Sequence, residues 1–172
     1  MTTATTRLND VDLEAMGTLI AAIGDDPEKA DTTWSAVVRW DGGFRSHSEI
    51  RDFAPTASDE PRGLGGTGSA PNPVEQLLGA LGNCLAVGYA ANLTAAGIKI
   101  NDLRIELEGD LDLHTFLGLA EGNAGYEAIR VAVHLDAEGD ETALREIHDK
   151  VVATSPVGHT LGRAIPVRVD LA

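Results

Sequence analysis

The sequence predicts an α+β domain in which antiparallel strands wrap around one long, apolar, central helix. Two observations carry this. Residues 72–97, NPVEQLLGALGNCLAVGYAANLTAAG, put apolar side chains on nearly every side between a helix start signal and a stop signal, as a buried helix does. The remaining elements run helix, hairpin, long helix, two strands, helix, strand, which is not a βαβ array. With 172 residues and no internal repeat, the chain has the length of one domain with its own core. We divide it into an N-terminal helical extension, 1–30, and a core, 31–172.

In chain order, residues 1–6 are expected to fray. Residues 9–23 form an amphipathic helix through Val11, Met16, Leu19, Ile20 and Ile23, ended by Gly24-Asp25-Asp26-Pro27. Residues 31–40 read as a strand, Asp41-Gly42-Gly43 as a hairpin turn, and residues 44–53 as the return strand. Residues 55–71 are a long loop rich in Gly, Pro and Ser. In the central helix Asn72 is the N-cap, Pro73 the first helical residue, Glu75 the acid of a capping box and Gly97 the C′ residue. Gly79, Gly82 and Gly88 each cost about 1 kcal/mol against Ala in a helix interior. Close approach of other backbone would account for them. Residues 98–112 and 128–136 alternate as half-buried strands, with a loop and short helix in 113–125. Residues 140–153 form a helix with Leu144, Ile147, Val151 and Val152 inward. Ser155-Pro156 starts one or two helical turns over 155–162, and residues 164–171 close the chain as a strand.

Composition narrows the function classes. A net charge of −14 argues against nucleic acid and anionic membrane surfaces as partners, because phosphate recognition needs a basic face. The first residues lack the apolar run of a secretory signal, and the central helix reads as too polar and glycine-broken for a membrane span. A single cysteine cannot close an internal disulfide, which fits a reducing cytoplasm. Residues 63–68, GLGGTG, match the letters GxGxxG. They neither follow an apolar strand nor open directly into a helix, so a mobile loop capping a site is the better reading than a phosphate cradle.

Three stretches together resemble the OsmC/Ohr family of osmotically inducible and organic hydroperoxide resistance proteins. They are the Gly-Gly loop leading into Pro71-Asn72-Pro73-Val74-Glu75-Gln76-Leu77-Leu78, then Ala80-Leu81-Gly82-Asn83-Cys84-Leu85, and Ser155-Pro156-Val157-Gly158-His159-Thr160-Leu161. The resemblance covers roughly residues 30–172. It implies an intertwined homodimer with buried cysteine helices, and reduction of organic hydroperoxides by a thiolate supported by an Arg–Glu pair and resolved by a second cysteine. Cys84 matches the reactive cysteine. Arg45 is the counterpart for the arginine, at an offset position. Ser155 stands where the resolving cysteine belongs, and Val74 where the glutamate belongs. Glu75, nine residues before Cys84, falls about 180° around the helix from it.

Each candidate also has a plainer reading. Cys84 on an apolar helix can be a packed core thiol, and would need a nearby Arg or His to be a thiolate at neutral pH. Glu75 reads as the capping-box acid and Ser155 as an N-cap. A Ser155–His159 nucleophile lacks an orienting acid and an oxyanion hole. Arg39, Arg45 and Arg51 lie in or beside the hairpin, where arginines are usually solvated. Trp34 and Trp40 read as core or dimer-interface residues rather than a ligand cage. His47, His114, His134, His148 and His159 show no ligand spacing, so neither a metal nor a cofactor is expected.

The sequence supports two functional classes. The first is a one-cysteine hydroperoxide reductase with Cys84 as nucleophile and Arg45 beside it, taking a small-molecule hydroperoxide and an external thiol reductant. The second is a binding or scaffold protein of the same fold, without redox chemistry. In both, the partner is a second copy of the chain, with no nucleic acid and no membrane, in the cytoplasm.

Overall fold

The computed structural model describes residues 7–171. The expected fraying of residues 1–6 lies outside them. Helices and antiparallel sheets alternate along the chain, with one long helix among them, as the sequence pattern requires. The chain divides into two compact units, one drawn from Met1–Leu13 and Leu78–Ala172, the other from Glu14–Leu77.

In the second unit, helix α1 (Leu13–Asp25) starts at its boundary and runs into it, followed by a 3-10 turn at Pro27–Ala30. Strands β1 (Val37–Gly42), β2 (Arg45–Glu49) and β3 (Thr56–Ser58) pair antiparallel in the order β1-β2-β3. The hairpin turns through Gly42 and Gly43, whose φ values of 92° and 62° favour glycine. Both strands are shorter than expected. Beyond Glu49 the chain turns, with Phe53 N–H on the Ile50 carbonyl and Arg51 at φ 50°, so residues 31–36 face no ladder partner and stay irregular. Trp34 and Trp40 are 78% and 77% exposed, so neither is core in this chain.

Helix α2 (Pro73–Ala95) begins in a reciprocal capping box. Glu75 N–H donates to Asn72 Oδ1 at 2.9 Å, and Asn72 N–H donates to Glu75 Oε2 at 2.8 Å. It ends in a Schellman motif at Gly97, φ 72°, with Ile98 N–H on the Leu93 carbonyl and Gly97 N–H on that of Thr94. Contrary to the sequence reading, α2 is long and apolar enough to cross a membrane: 23 residues, with mean hydropathy 1.3 in its most apolar window. The apolar run survives its glycines and carries little charge. Burial is also narrower than expected. Its buried residues are the stripe Leu81, Leu85, Tyr89 and Leu93 with the adjoining Gly82 and Thr94, while Val87 is exposed.

That stripe forms the core of the first unit with Val151 of α4 (Glu141–Thr154). Strands β4 (Ile100–Leu111) and β5 (Tyr126–Ala137) pair antiparallel and turn Leu103, Ile105, Leu107, Val133 and Leu135 toward it. The short α3 (Leu113–Phe116) follows β4, and α5 (Pro156–Leu161) follows α4. Gly82 and Gly88 are explained by side chains rather than by backbone: a Cβ would stand 2.8 Å from Leu107 at the first and 2.8 Å from Val151 at the second, while Gly79 has open space. Val152 points outward, because it is turned about 100° from the inward Leu144–Ile147–Val151 stripe.

Two further differences mark the ends of the chain. The N-terminal helix begins at Leu13, because Asn9 takes φ 51° and uses its carboxamide elsewhere. It donates to Thr94 Oγ1 and the Ile98 carbonyl and accepts from Ile100 N–H, each at 2.9 Å, closing the corner between α2 and β4. The expected strand at 164–171 does not form. Its Ile165, Val167, Val169 and Leu171 alternate correctly, but a strand also needs a neighbouring backbone, and none pairs with it among the described residues.

Candidate functional site

The chemistry-bearing residues of the first unit meet where α2 passes the α4–α5 junction. Cys84 is half-buried on α2. Ser155, 4% exposed, ends α4 and caps α5, its Oγ accepting the Gly158 N–H at 3.1 Å. The Ser155 Oγ lies 3.3 Å from the Cys84 Sγ, across 71 residues of sequence. Position 158 suits glycine, because a Cβ there would stand 3.1 Å from Ser155 Oγ. The expected N-cap role of Ser155 is therefore present, and its contact with sulfur is added to it.

Ser155 also borders a predominantly apolar cavity of about 510 Å³, with Leu81, Leu85, Val133 and the imidazoles of His148 and His159 among its walls. Cys84 itself does not line it. Tyr89, a buried residue of the cavity wall, hydrogen-bonds His148 Nδ1, and burial pushes its phenol up from the usual value. His159 donates from Nε2 to the Ala153 carbonyl at 2.8 Å, and it meets Ser155 through its backbone N–H, which donates to the Ser155 carbonyl at 2.9 Å. A Ser–His nucleophile is not assembled here. The Tyr89–His148 pair was missed in the sequence, where the two residues are 59 apart and no motif joins them.

In the second unit, Arg45 lies on β2 and its Nη2 donates to the Asp41 carbonyl at 3.4 Å; it forms no ion pair among the described residues. His47 is claimed by Asp41, whose hydrogen bond raises the imidazole above its ordinary value. Arg39 pairs with Glu49 at 2.9 Å. Glu75 is committed to the capping box.

The GLGGTG loop folds around a carboxylate of its own chain. Asp59, 1% exposed, accepts from Thr67 Oγ1 at 2.5 Å, Ser69 N–H at 3.0 Å, Ser69 Oγ at 2.9 Å, Thr67 N–H at 3.1 Å and Glu60 N–H at 2.8 Å. These bonds, led by the Thr67 hydroxyl and the Ser69 amide, hold the carboxyl well below the usual carboxylate range. Donors that would cradle a phosphate are thus spent internally, and the loop is pinned rather than free. Among the described residues no group of three or more His, Cys, Asp and Glu side chains is placed to hold a metal ion.

Comparison with known proteins places this arrangement among relatives. The family described as OsmC-like protein matches residues 66–170. An uncharacterized protein of Bacillus subtilis, YmaD, is 29% identical over 120 residues, covering 67% of this chain and 74% of its own. An OsmC-like protein from Mycoplasma pneumoniae superposes with a TM-score of 0.66 at 20% identity, covering 77% of this chain and 89% of the other. An organic hydroperoxide resistance protein OsmC from Legionella pneumophila gives 0.55 at 20% identity, covering 76% and 91%. At these identities the structural likenesses establish the fold.

Proposed function

Because the chain belongs to the OsmC-like protein family, we propose that it is a one-cysteine, thiol-dependent reductase of organic hydroperoxides. The observation that carries this reading is the chain's only cysteine, Cys84, held half-buried against Ser155 where Ser155 borders an apolar cavity. Some relatives of the same fold are described as organic hydroperoxide resistance proteins.

The chemistry balances with one thiol. Cys84 loses its proton, and the thiolate attacks the peroxide O–O bond. An S–O bond forms, the O–O bond breaks, and the alkoxide takes up a proton to leave as an alcohol. The sulfur is left as a sulfenic acid. Two equivalents of an external thiol return it to the thiol, yielding a disulfide and water. The apolar walls suit the organic part of the peroxide. The arginine of this reading is Arg45, which forms no ion pair among the described residues.

We also propose that the chain works as a homodimer in the cytoplasm. In support, Trp34, Trp40, Val167 and Val169 are exposed, and among the described residues the two-stranded β4–β5 sheet has open edges that invite a further strand.

A stoichiometric reaction with cumene hydroperoxide tests the reading, with dimedone trapping and mass spectrometry. A single dimedone adduct on Cys84, absent from the Cys84→Ser variant, is the expected result. A native thiol inert to the peroxide would sink it. The competing reading, a binding protein without redox turnover, is favoured by the fact that the cavity is bordered by Ser155 and not by the sulfur. It predicts binding of apolar ligands by the Cys84→Ser variant and no peroxide consumption by the wild type.

A further inference from the structure

The residue that replaces the expected second thiol has a geometry of its own. Ser155 Oγ receives the Gly158 N–H at 3.1 Å and stands 3.3 Å from Cys84 Sγ. With one lone pair turned to Gly158, the hydroxyl hydrogen is free to point at sulfur. Once the thiol has ionised, the hydroxyl is also the only one of the two groups that can donate. Its 4% exposure keeps water from competing for that hydrogen.

We propose that Ser155 is a positioning residue for Cys84: its hydroxyl donates a hydrogen bond to the sulfur, favouring the thiolate and fixing the direction in which it attacks. The proposal rests on the reductase reading of Cys84 and specifies what that site has in place of a resolving cysteine. A half-buried anionic sulfur is penalised unless a donor faces it, and a bond to a charged acceptor is roughly twice as strong as a neutral one. Ser155 is not consumed. The proton released by Cys84 goes to solvent, the hydroxyl stays protonated, and after attack the same hydroxyl faces the sulfenic group. His159 takes no part, because its Nε2 is bound to the Ala153 carbonyl.

The test is the rate of iodoacetamide alkylation of the native full-length chain as a function of pH. It compares wild type with Ser155→Ala, Ser155→Gly and Ser155→Thr, with melting curves for each. Glycine retains helix capping to within a few tenths of a kcal/mol, so Ser155→Gly removes the hydroxyl while largely sparing α5. Threonine keeps both the hydroxyl and the cap. Ala and Gly are expected to move the pH–rate profile up by about one pH unit, an approximately tenfold slower reaction at neutral pH, and Thr to restore it. Ala and Gly profiles that superpose on wild type would overturn the Ser155 proposal, even if peroxide still yields the sulfenic acid. A shifted profile without any oxidation of wild type by peroxide would instead overturn the reductase reading and leave the Ser155 contact standing.

Discussion

Val151 of α4 occupies the space in which Gly88 of α2 would carry a side chain: a Cβ at position 88 would lie 2.8 Å from Val151 Cγ1. Val151 is 1% exposed and β-branched, so it has little room or freedom to turn away. The glycine therefore sets how closely the two helices approach. Gly88→Ala gains about 1 kcal/mol of helix propensity and loses more to overpacking, for a net destabilisation of about 1–2 kcal/mol. Urea melts measure this, and Val151→Ala in the same chain should recover part of the loss. A stabilised Gly88→Ala single variant would contradict the packing.

Ser155→Cys should convert the one-thiol site into a dithiol. The existing 3.3 Å approach of Oγ to Sγ puts a second sulfur within reach of Cys84. Under mild oxidation the variant should lose both free thiols by Ellman titration and resist reduction-free unfolding. In the chain-entropy account a crosslink over a loop of this size contributes roughly 3–5 kcal/mol. Two free thiols persisting after oxidation would show that the helices cannot close to bonding distance.

The pinned loop predicts an acid response. The Asp59 carboxyl titrates below its unfolded value of about 3.9 in the folded chain. Its ionised form therefore stabilises the fold above about pH 4, and that contribution is lost as the pH falls below it. The melting temperature of wild type should drop more steeply below pH 4 than that of Asp59→Asn. At neutral pH Asp59→Asn should melt lower, since one carbonyl oxygen and an NH2 group replace an acceptor that serves five donors. Parallel pH profiles for the two proteins would reject this account.

Glu75 tests the difference between a cap and a catalyst. Its carboxylate is tied to the Asn72 N–H, so Glu75→Ala should cost about 1 kcal/mol of stability. Glu75→Gln, which can still close a capping box, should cost less. Neither should alter the alkylation rate of Cys84. A variant that melts normally yet loses thiol reactivity would return Glu75 to the chemistry.

The proposed homodimer predicts a mass by light scattering of twice the 18.0 kDa chain. Val167→Asp with Val169→Asp places charge where the apolar alternation of the C-terminal segment is exposed, and should shift the protein toward monomer. A wild-type monomer at micromolar concentration would refute the assembly.

Local signals were legible where local physics decides. Asn72, Pro73, Glu75 and Gly97 set both ends of α2, because caps involve residues three or four apart. Leu103, Ile105 and Leu107 announced β4 by alternation, since successive strand residues face opposite sides. Residues 164–171 carry the same alternation and form no strand. The pattern states which face would be buried, but the pairing backbone must come from elsewhere.

The sequence by itself determined the α+β element order, the limits of the long helix, the family resemblance and the identity of the single thiol. Only the tertiary structure decided what that thiol touches. Ser155, 71 positions away, reaches Cys84 because α4 packs on the Leu81–Leu93 stripe and ends beside it. It also decided that the glycine-rich loop spends its donors on Asp59, and that Tyr89 meets His148 in the cavity wall. Capping and alternation are written within a few residues of one another. Contacts between distant side chains exist only once the core has fixed which faces meet.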